Sequence, residues 1–393
     1  MNLKINKVTI FYLFYFIPFF KPVGLEIFPV INSIYIGWKL ISLCIGILLI
    51  TLRILDNKIN IYKNDSWIIG LFLFFLIYFL NELNSGALVT AISSIIVILE
   101  LIIILSSSET TSKRKNMYDA LDFLFSITLF LQIISVFYIR AGHIIFRNIE
   151  GDYIYLLGTD NYSAFATIPM LGAVLFFDYR NKKKIFKLKN IFLCIGLCIS
   201  YIYTGSVTAA IISIITTLAY AITKHNKLLL KLFTIKRIAL ACIVILFLIV
   251  VFHAQNWILW LIAIVGKGDK ASTLNSRTII WEKALNIIGH NPIFGIGELS
   301  TAQVESYALY GVNHAHNLIL DLLLKTGIIG TISYLFFYIG FVSQYLKKTL
   351  KSSGFILVIT LVAYFVLSMM DDYPFIPYIY CCFGLLLGHV KYD

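Results

Sequence analysis

Charged residues are scarce in this sequence. Only 13% of the 393 residues are Asp, Glu, Lys or Arg, whereas 60% are hydrophobic. Soluble proteins typically have about 25% charged and about 45–50% apolar residues. Because so little charge cannot cover a soluble surface, the composition predicts a polytopic membrane protein. Because backbone groups in lipid must be hydrogen-bonded within the protein, we expect the spans to be helices.

The sequence also lacks the motifs of several common enzyme classes. It contains no P-loop, no Rossmann glycine set and no Gly-x-Ser-x-Gly elbow. The six cysteines all lie in apolar runs, where none is placed for an extracellular disulfide. His314 and His316 are too close for two metal ligands on one helical face, and no His-Glu-x-x-His pattern accompanies them. The residues therefore predict neither a metal centre nor a cofactor.

Twelve apolar runs predict an all-α fold with about twelve transmembrane helices. The first run, 8–20, follows a short basic lead. No small-residue cleavage site follows it, so we expect an uncleaved span that is either thin or extended by Ile27–Val30. The other spans are predicted at 34–55, 67–83, 87–105, 118–139, 161–177, 190–204, 207–223, 237–253, 317–345, 355–370 and 376–390.

Basic residues alternate between the two sides of these spans. With a cytoplasmic N-terminus, most of the 32 Lys and Arg residues fall in inner joints, as the positive-inside rule requires. This orientation makes both termini cytoplasmic. We therefore divide the chain into helices 1–9 (1–253), a large extracytoplasmic loop (254–316) and helices 10–12 (317–393). The net charge of +12 arises from joints that face anionic lipid, so it predicts no nucleic-acid partner.

The stretch 275–330 is long and mixed in polarity. Its first half predicts a short helix that is capped by Ser276 and stopped by a left-handed Gly289. Arg277 lies four residues before Trp281, so the two side chains should be neighbours. The alternative for Arg277 is a contact with lipid phosphates. The predicted apolar side consists of Ile280, Trp281, Ala284, Leu285 and Ile288, and the opposite side of Thr278, Glu282 and Asn286.

The second half of this stretch contains two histidines near a helix start. If the helix begins at His314, capped by Asn313, one narrow polar face carries His314, Asn317, Asp321 and Lys325. If the helix begins only at Asn317, both histidines lie in the loop, and either could reach a substrate. The alternative is a pair of surface histidines without a role.

A second outer segment, 140–161, carries two arginines and several tyrosines. Ten residues separate Arg140 from Gly151, and the same spacing separates Arg147 from Gly158. Arginine offers bidentate hydrogen bonds to phosphate, and tyrosine rings can stack on sugar faces. The segment therefore suits a sugar phosphate. The alternative is an interfacial aromatic belt with flanking arginines.

Taken together, these motifs resemble the O-antigen polymerase/ligase family. The resemblance rests on an Arg-x-x-x-Trp helix (277–281), an Asn-Pro-Ile-Phe-Gly-Ile-Gly turn (291–297), a His-Ala-His-Asn helix start (314–317) and Gly-Ile-Ile-Gly (327–330). The spacing after Arg140 also resembles a motif of Wzy-type polymerases. The sequence departs from these patterns at two positions: Gly289 falls one residue late after Arg277, and Val207 stands where the family often has Arg.

The resemblance implies a GT-C-like glycosyltransferase architecture and glycosyl transfer on the outer face of the bacterial plasma (inner) membrane. The donor would be an undecaprenyl-diphosphate-linked glycan, without nucleotide sugar, metal or cofactor. A polymerase would use another lipid-linked repeat unit as acceptor, whereas a ligase would use lipid A-core or a protein. Lipid-linked oligosaccharide and membrane lipid are the expected partners, together with flippase and chain-length regulator proteins.

The expected chemistry assigns roles to particular residues. The leaving diphosphate needs fixed cations, which we assign to Arg140, Arg147 and Arg277. The acceptor hydroxyl needs a general base, for which histidine has a suitable pKa. His316 is preferred because it directly precedes Asn317, as in the family pattern, and His314 is the alternative. The further predicted substrate contacts are Trp281, Asn317 and Glu282.

We predict a repeat-unit polymerase for capsular polysaccharide or O-antigen, with a ligase as the alternative. A lipid-linked oligosaccharide flippase or transporter also fits twelve spans. A transporter should hold its polar groups near the midplane in broken helices. The polar residues of this sequence cluster in predicted outer loops, which favours an enzyme.

Overall fold

The computed structural model describes residues 6–56, 65–85, 88–107, 111–143, 146–147, 153–181, 188–225, 269–298, 314–349, 352–369 and 374–392. Within its helices, the side chains of 84–85, 90, 160–161, 207, 219–225 and 269–278 lie outside the description. The described residues form α-helices and short 3-10 helices, with isolated β-bridges in place of strands. The protein is therefore an all-α, multi-pass membrane protein, as the composition predicts.

Twelve α-helices are present among the described residues, together with 3-10 helices at Ile17–Phe20 and Val23–Ile27. The helices are α1 Lys7–Phe16, α2 Pro29–Leu55, α3 Trp67–Ser85, α4 Leu88–Ser106, α5 Thr111–Arg140, α6 Asp160–Arg180, α7 Leu188–Thr204, α8 Val207–His225, α9 Asp269–His290, α10 Leu318–Thr349, α11 Gly354–Ser368 and α12 Pro377–Tyr392.

Eleven of these helices coincide with predicted spans, and the twelfth, α9, lies within the predicted outer loop. The predicted span at 237–253 lies outside the described residues. Within the part of the chain that the structure describes, four helices, α2, α5, α6 and α10, are long and apolar enough to cross a membrane by length and composition. The remaining apolar helices in the described residues are shorter.

The N-terminal segment corrects one alternative for the first span. Helix α1 ends at Phe16 and continues as a 3-10 turn to Phe20, whereas Ile27–Val30 does not extend it. Instead α2 begins at Pro29, because proline is well suited to the first turn of a helix. Between the two helices, the Gly24 N–H donates to the Leu156 carbonyl at 2.8 Å. This contact ties the N-terminal turn to the outer segment that carries the two arginines.

The helices pack around a core of aromatic and aliphatic side chains. Helix α10 packs against α3, α12 against α4, and α11 against α6. At the centre, the Phe337 ring lies 5.0 Å from Phe383, which in turn lies 4.6 Å from Phe341. Helix α2 differs, because it buries only Ser42, Gly46 and Arg53. Much of its remaining apolar surface is exposed, as expected for a helix in contact with lipid, whereas Leu43, Ile45, Leu49 and Ile50 are partly buried against the core.

Helix α10 is not continuous. Gly327 has φ 63° and ψ −168°, which breaks the helix there. Residues 291–297, here called the strap, fill the break. The Ile296 and Gly297 N–H groups donate to the Leu324 and Lys325 carbonyls at 2.9 and 3.0 Å. The strap therefore replaces helical hydrogen bonds that the break removes.

The other side of the break is filled in the same way. The Ile328 N–H donates to the Pro292 carbonyl at 2.8 Å, and the Ile329 N–H donates to the Ile293 carbonyl at 3.3 Å. Non-helical backbone at membrane depth is tolerated where protein supplies such partners. The sequence pattern does not predict this break in α10, because only a distant segment makes the break favourable.

Candidate functional site

Helix α9 begins earlier than the sequence pattern predicts. It starts at Asp269 and ends at His290, so Ser276 is not its N-cap. The seven residues from Asp269 contain neither glycine nor proline, and an acidic residue at a helix N-terminus is favourable. Gly289 is also not a left-handed stop, because the helix passes through it. The first glycines with positive φ after α9 are Gly295 and Gly297, in the strap.

One face of α9 packs against α10 and the strap. The buried residues are Ile280, Trp281, Ala284 and Ile287, and Ile288 is partly buried. Leu285 is 50% exposed, so its assignment to the apolar side is wrong. Ile287 takes that place because it packs with Leu324 beside the break. Glu282 is exposed on the other side.

The two histidines lie in a turn directly before α10. The helix begins at Leu318, and the Asn317 Oδ1 atom accepts hydrogen bonds from the Ile319 and Leu320 N–H groups at 3.1 and 3.2 Å. Asn317 is therefore the N-cap. Of the two predicted helix starts, the one at His314 is wrong, because this cap terminates the helix after the histidines. Asn313 lies outside the described residues.

The histidine turn, residues 314–317, brings its two rings together. The His314 and His316 ring centroids are 4.2 Å apart, with the ring planes at 62°. His316 has a φ of 49°, a left-handed conformation that non-glycine residues rarely adopt. Both histidines are half-buried. The rings therefore form one unit rather than two separate surface groups.

The residue between the histidines is held on both sides. The Ala315 N–H donates to Asp321 Oδ1 at 3.0 Å. The Trp281 Nε1–H donates to the Ala315 carbonyl at 2.8 Å. These two bonds connect α9, the histidine turn and α10.

A chain of charged side chains, all buried except the partly exposed Glu298, continues from Asp321 toward the break. Asp321 Oδ2 lies 2.8 Å from Lys325 Nζ, and Lys325 Nζ lies 3.2 Å from Glu298 Oε1. The Glu298 N–H donates to Glu82 Oε1 of α3 at 2.7 Å. Burial raises the pKa of Glu298, and the neighbouring Lys325 acts in the opposite direction. The sequence pattern does not reveal Glu82 or Glu298, because the hydrogen bond between them depends on the position of the strap.

Trp281 and Asn317, both predicted to contact substrate, have structural partners. Trp281 is 6% exposed and Asn317 is fully buried. Besides capping α10, Asn317 donates from Nδ2 to the Met369 carbonyl at 2.9 Å, which ties α10 to the end of α11. A direct substrate contact for either residue stays a prediction.

Arg140, Arg147 and Tyr153 form a second group, here called the arginine group. The Arg140 Cζ lies 4.5 Å from the centroid of the Tyr153 ring, and the Arg147 Cζ lies 4.7 Å from the same ring. Arg140 Nε also donates to the Tyr155 hydroxyl at 2.7 Å, and Arg147 Nη2 donates to the Tyr153 hydroxyl at 3.1 Å. Two guanidinium groups thus share one aromatic ring, an arrangement that concentrates positive charge.

A tight turn positions this group at the end of α5. The backbone of Tyr155 exchanges hydrogen bonds with Gly158, whose φ of 102° requires glycine. The Leu157 N–H donates to Gln132 Oε1 of α5 at 2.8 Å. Gly151 lies outside the described residues.

The remaining predicted site residue is Arg277. Its backbone lies in α9, one turn before Trp281, but its side chain is outside the description. Among the described residues, no three His, Cys, Asp or Glu side chains form a group that could hold a metal ion. Of the predicted site residues, Arg140 and Arg147 lie in the arginine group, and His314, His316 and Asn317 lie in the histidine turn.

Comparison with known proteins connects this geometry to a family. The family model described as "O-Antigen ligase" matches residues 190–335, which include α8, α9, the strap and the histidine turn. Through this region, the chain is similar to the O-antigen polymerase/ligase family. The family match covers the break at Gly327 but not the arginine group, which precedes it in the chain.

A curated relative is similar to a longer part of the chain. The chain is 23% identical, over 283 residues, to the ComP-specific O-oligosaccharyltransferase of Acinetobacter baylyi. The aligned region covers 69% of this chain and 49% of the relative. The chain thus spans about half the length of that protein.

Proposed function

We propose that this protein transfers a glycan from a polyprenyl-diphosphate-linked donor to an acceptor hydroxyl on the outer face of the bacterial plasma membrane. The observation that carries the proposal is the match to the O-antigen ligase model across 190–335, because that region contains the histidine turn and the residues that hold it. The relative's name, an O-oligosaccharyltransferase, supports glycan transfer as the reaction class.

The reaction joins an acceptor oxygen to the anomeric carbon of the donor glycan. The bond between that carbon and the phosphate oxygen breaks, and the polyprenyl diphosphate leaves with the electron pair. The proton of the acceptor hydroxyl passes to a base. Catalysis then requires a base at the hydroxyl and fixed positive charge at the diphosphate.

The histidine turn and the arginine group match these two requirements. His316, with His314 as the alternative, takes the proton, because neutral imidazole accepts protons near physiological pH. Arg140 and Arg147 bind the diphosphate, since guanidinium groups offer planar pairs of donors to phosphate oxygens. Arg277 is assigned the same role from its sequence motif. Exposed Glu282 contacts the glycan in this proposal.

The preferred acceptor is another lipid-linked repeat unit, which makes the protein a polymerase for capsular polysaccharide or O-antigen. In each cycle the growing glycan moves onto a new repeat. A ligase that transfers the glycan to lipid A-core or protein is the second candidate. Two specific observations favour it: the description of the matched family and the name of the relative.

A reconstituted assay tests the reaction and separates the acceptors. Purified protein is incubated with a polyprenyl-diphosphate-linked repeat unit alone, and then with added lipid A-core or acceptor protein. A glycan ladder from the donor alone is expected for the polymerase. Product that requires the added acceptor would instead identify a ligase. Donor that stays unconsumed under both conditions contradicts glycan transfer, and movement of intact donor between leaflets would then indicate a flippase.

The proposed side of the membrane has its own test. Single cysteines replace Ser300, in the predicted outer loop, and Asn181, at the end of α6, after removal of the native cysteines. A membrane-impermeant thiol reagent should label position 300 but not 181 in intact cells. Labelling at 181 would reverse the orientation and place the histidine turn on the cytoplasmic side.

A further inference from the structure

We infer that Trp281 and Asp321 are positioning residues that fix the orientation of the two histidine rings through the peptide groups around Ala315. This inference rests on the proposed function, because it assigns the histidines to catalysis. Neither residue needs to touch the substrate. Each acts through a backbone hydrogen bond that is buried in the protein.

The two bonds hold two successive peptide planes. The Ala315 N–H belongs to the peptide that links it to His314, and the Ala315 carbonyl belongs to the peptide that links it to His316. Asp321 holds the first plane and Trp281 holds the second. Because φ and ψ of a residue describe the rotation between its flanking peptide planes, the backbone of Ala315 has little freedom. The backbone atoms from which the two histidine side chains extend are therefore held in place.

The conformation of His316 shows why such support is needed. A left-handed residue with a Cβ atom is strained relative to a right-handed one. A strained conformation persists where surrounding contacts determine it. Trp281 holds the carbonyl just before His316, and the buried side chain of Asn317 caps α10 just after it.

The position of Asp321 is determined by its burial and by its pairing with Lys325. Asp321 is fully buried on the first turn of α10, and its second carboxylate oxygen pairs with Lys325. Lys325 is fixed in turn by Glu298, which follows the strap. A buried carboxylate is stable when it is paired and hydrogen-bonded. The contacts among Asp321, Lys325 and Glu298 therefore hold Asp321 Oδ1 in place as the acceptor for the Ala315 N–H. The strap takes part because Glu298 directly follows it.

The first test removes one hydrogen bond and keeps the ring packing. Trp281→Phe loses the Nε1 donor but retains an aromatic ring. The matched control is Trp67→Phe, because Trp67 is also buried and its Nε1 atom has no hydrogen-bond partner among the described residues. At equal membrane abundance, we expect kcat of Trp281→Phe to fall by about 10- to 100-fold with little change in KM, because a small displacement of a reacting group is costly. Trp67→Phe should keep the wild-type kcat.

The second test uses a conservative rescue at Asp321. Asp321→Asn keeps an oxygen that can accept from the Ala315 N–H, whereas Asp321→Leu does not. We expect kcat to be at least several-fold higher in Asp321→Asn than in Asp321→Leu. Asp178→Asn is the control for loss of a buried charge, since Asp178 is buried beside Lys189. Equal kcat values for the two Asp321 variants at equal abundance would overturn the role of the acceptor.

A chemical readout separates this inference from the proposed function. Diethyl pyrocarbonate modifies accessible histidines, and mass spectrometry gives the ratio of modification at His314 and His316. The ratio should change several-fold in Trp281→Phe and stay constant in Trp67→Phe. If wild-type protein transfers no glycan but the ratio changes, the proposed function fails while the positioning role stands.

If glycan transfer is measurable, the kinetic result decides. An unchanged kcat in Trp281→Phe overturns the positioning role, whatever the modification ratio. An unchanged ratio in an enzyme without measurable transfer overturns it as well. Should Trp281→Phe fail to reach the membrane, Asp321→Asn and Asp321→Leu provide the same comparison.

Discussion

The arginine group and the histidine turn are held in opposite ways. Arg147 is exposed, and the group is organised by two guanidiniums around the partly exposed Tyr153 ring. Around the histidine turn, by contrast, Asn317 and Asp321 are fully buried and make directional hydrogen bonds to backbone groups. Under the proposed function, the accessible charge of the arginine group would bind the substrate, and the firmly held histidine turn would place the reacting groups.

The two groups should also differ in how they respond to salt and to the loss of a hydrogen-bond partner. Interactions between exposed charges weaken with ionic strength over distances of about 8–10 Å. Buried hydrogen bonds are little affected by salt, but leaving one partner unsatisfied costs about 1–3 kcal/mol. Changes in the arginine group should therefore alter substrate binding, and changes in the histidine turn should alter the chemical step.

The largest effect is expected at the histidine turn. His316→Ala should lower the rate of glycan transfer by about 10²–10⁴-fold, the usual contribution of a general base. His314→Ala should reduce transfer only in part. Quantified glycan products at equal membrane abundance provide the measurement.

His290→Ala is the control for the histidine variants, because His290 is exposed and its Nδ1 atom contacts the Asn286 carbonyl of its own helix. It should keep full activity. If both His314→Ala and His316→Ala make full-length polymer, the base lies elsewhere, and Glu282 becomes the next residue to change.

The next largest effect is expected at Arg277. Arg277→Lys should lose most of its activity, on the order of 10- to 100-fold, because a point charge does not replace two planar hydrogen bonds to a diphosphate. Initial rates across donor concentrations provide the measurement. Arg180→Lys, at the opposite end of α6 from the predicted outer surface, is the control. Wild-type rates for Arg277→Lys would indicate that Arg277 contacts lipid phosphates rather than the donor diphosphate.

Gly327→Ala tests whether the break in α10 is needed for folding stability. A Cβ atom at Gly327 would lie 2.2 Å from the Ile293 carbonyl oxygen, and a φ of 63° disfavours alanine. We expect a loss on the order of 3 kcal/mol in folding stability, detected as a lower thermal midpoint in detergent.

Gly289→Ala is the matched control for this loss, since an added methyl group would meet nothing within 4 Å and the residue is within α9. It should be neutral or slightly stabilising, because alanine favours helices. Equal midpoints for Gly327→Ala and wild type would show that α10 can straighten without cost.

The smallest effects are expected in the arginine group. Arg140→Lys should weaken donor binding more than Arg147→Lys, since Arg140 contacts both Tyr153 and Tyr155. We expect about a threefold to tenfold rise in KM for the first and less for the second, consistent with partly exposed charge interactions. A larger effect at Arg147, or a change confined to kcat, would contradict the binding role.

The sequence predicts the positions of the helices, because local hydrophobicity determines them. The predicted spans at 67–83 and 190–204 agree closely with α3 and α7, because long apolar runs require helices in lipid. The same information does not locate the break at Gly327. That conformation is stabilised by the strap, whose hydrogen bonds join residues about thirty positions apart.

The candidate site shows the same limit. The presence of two histidines before a polar stripe is visible in the sequence, as is the i,i+4 pair of Asp321 and Lys325. The use of Asp321 as an acceptor for Ala315 is not visible, because it depends on where Asn317 ends the helix. The inward direction of Ile287 rather than Leu285 likewise depends on the surface of α10 that α9 meets.

The break in α10 constrains the order in which the protein assembles. Before the strap docks, a broken α10 would present the carbonyls of Leu324 and Lys325 and the N–H groups of Ile328 and Ile329 to lipid. Each such group costs several kcal/mol in hydrocarbon. We therefore expect the nascent segment to enter the bilayer as a straight helix and to bend only when the strap docks. On this expectation, the histidine turn takes its final conformation only after the strap has docked.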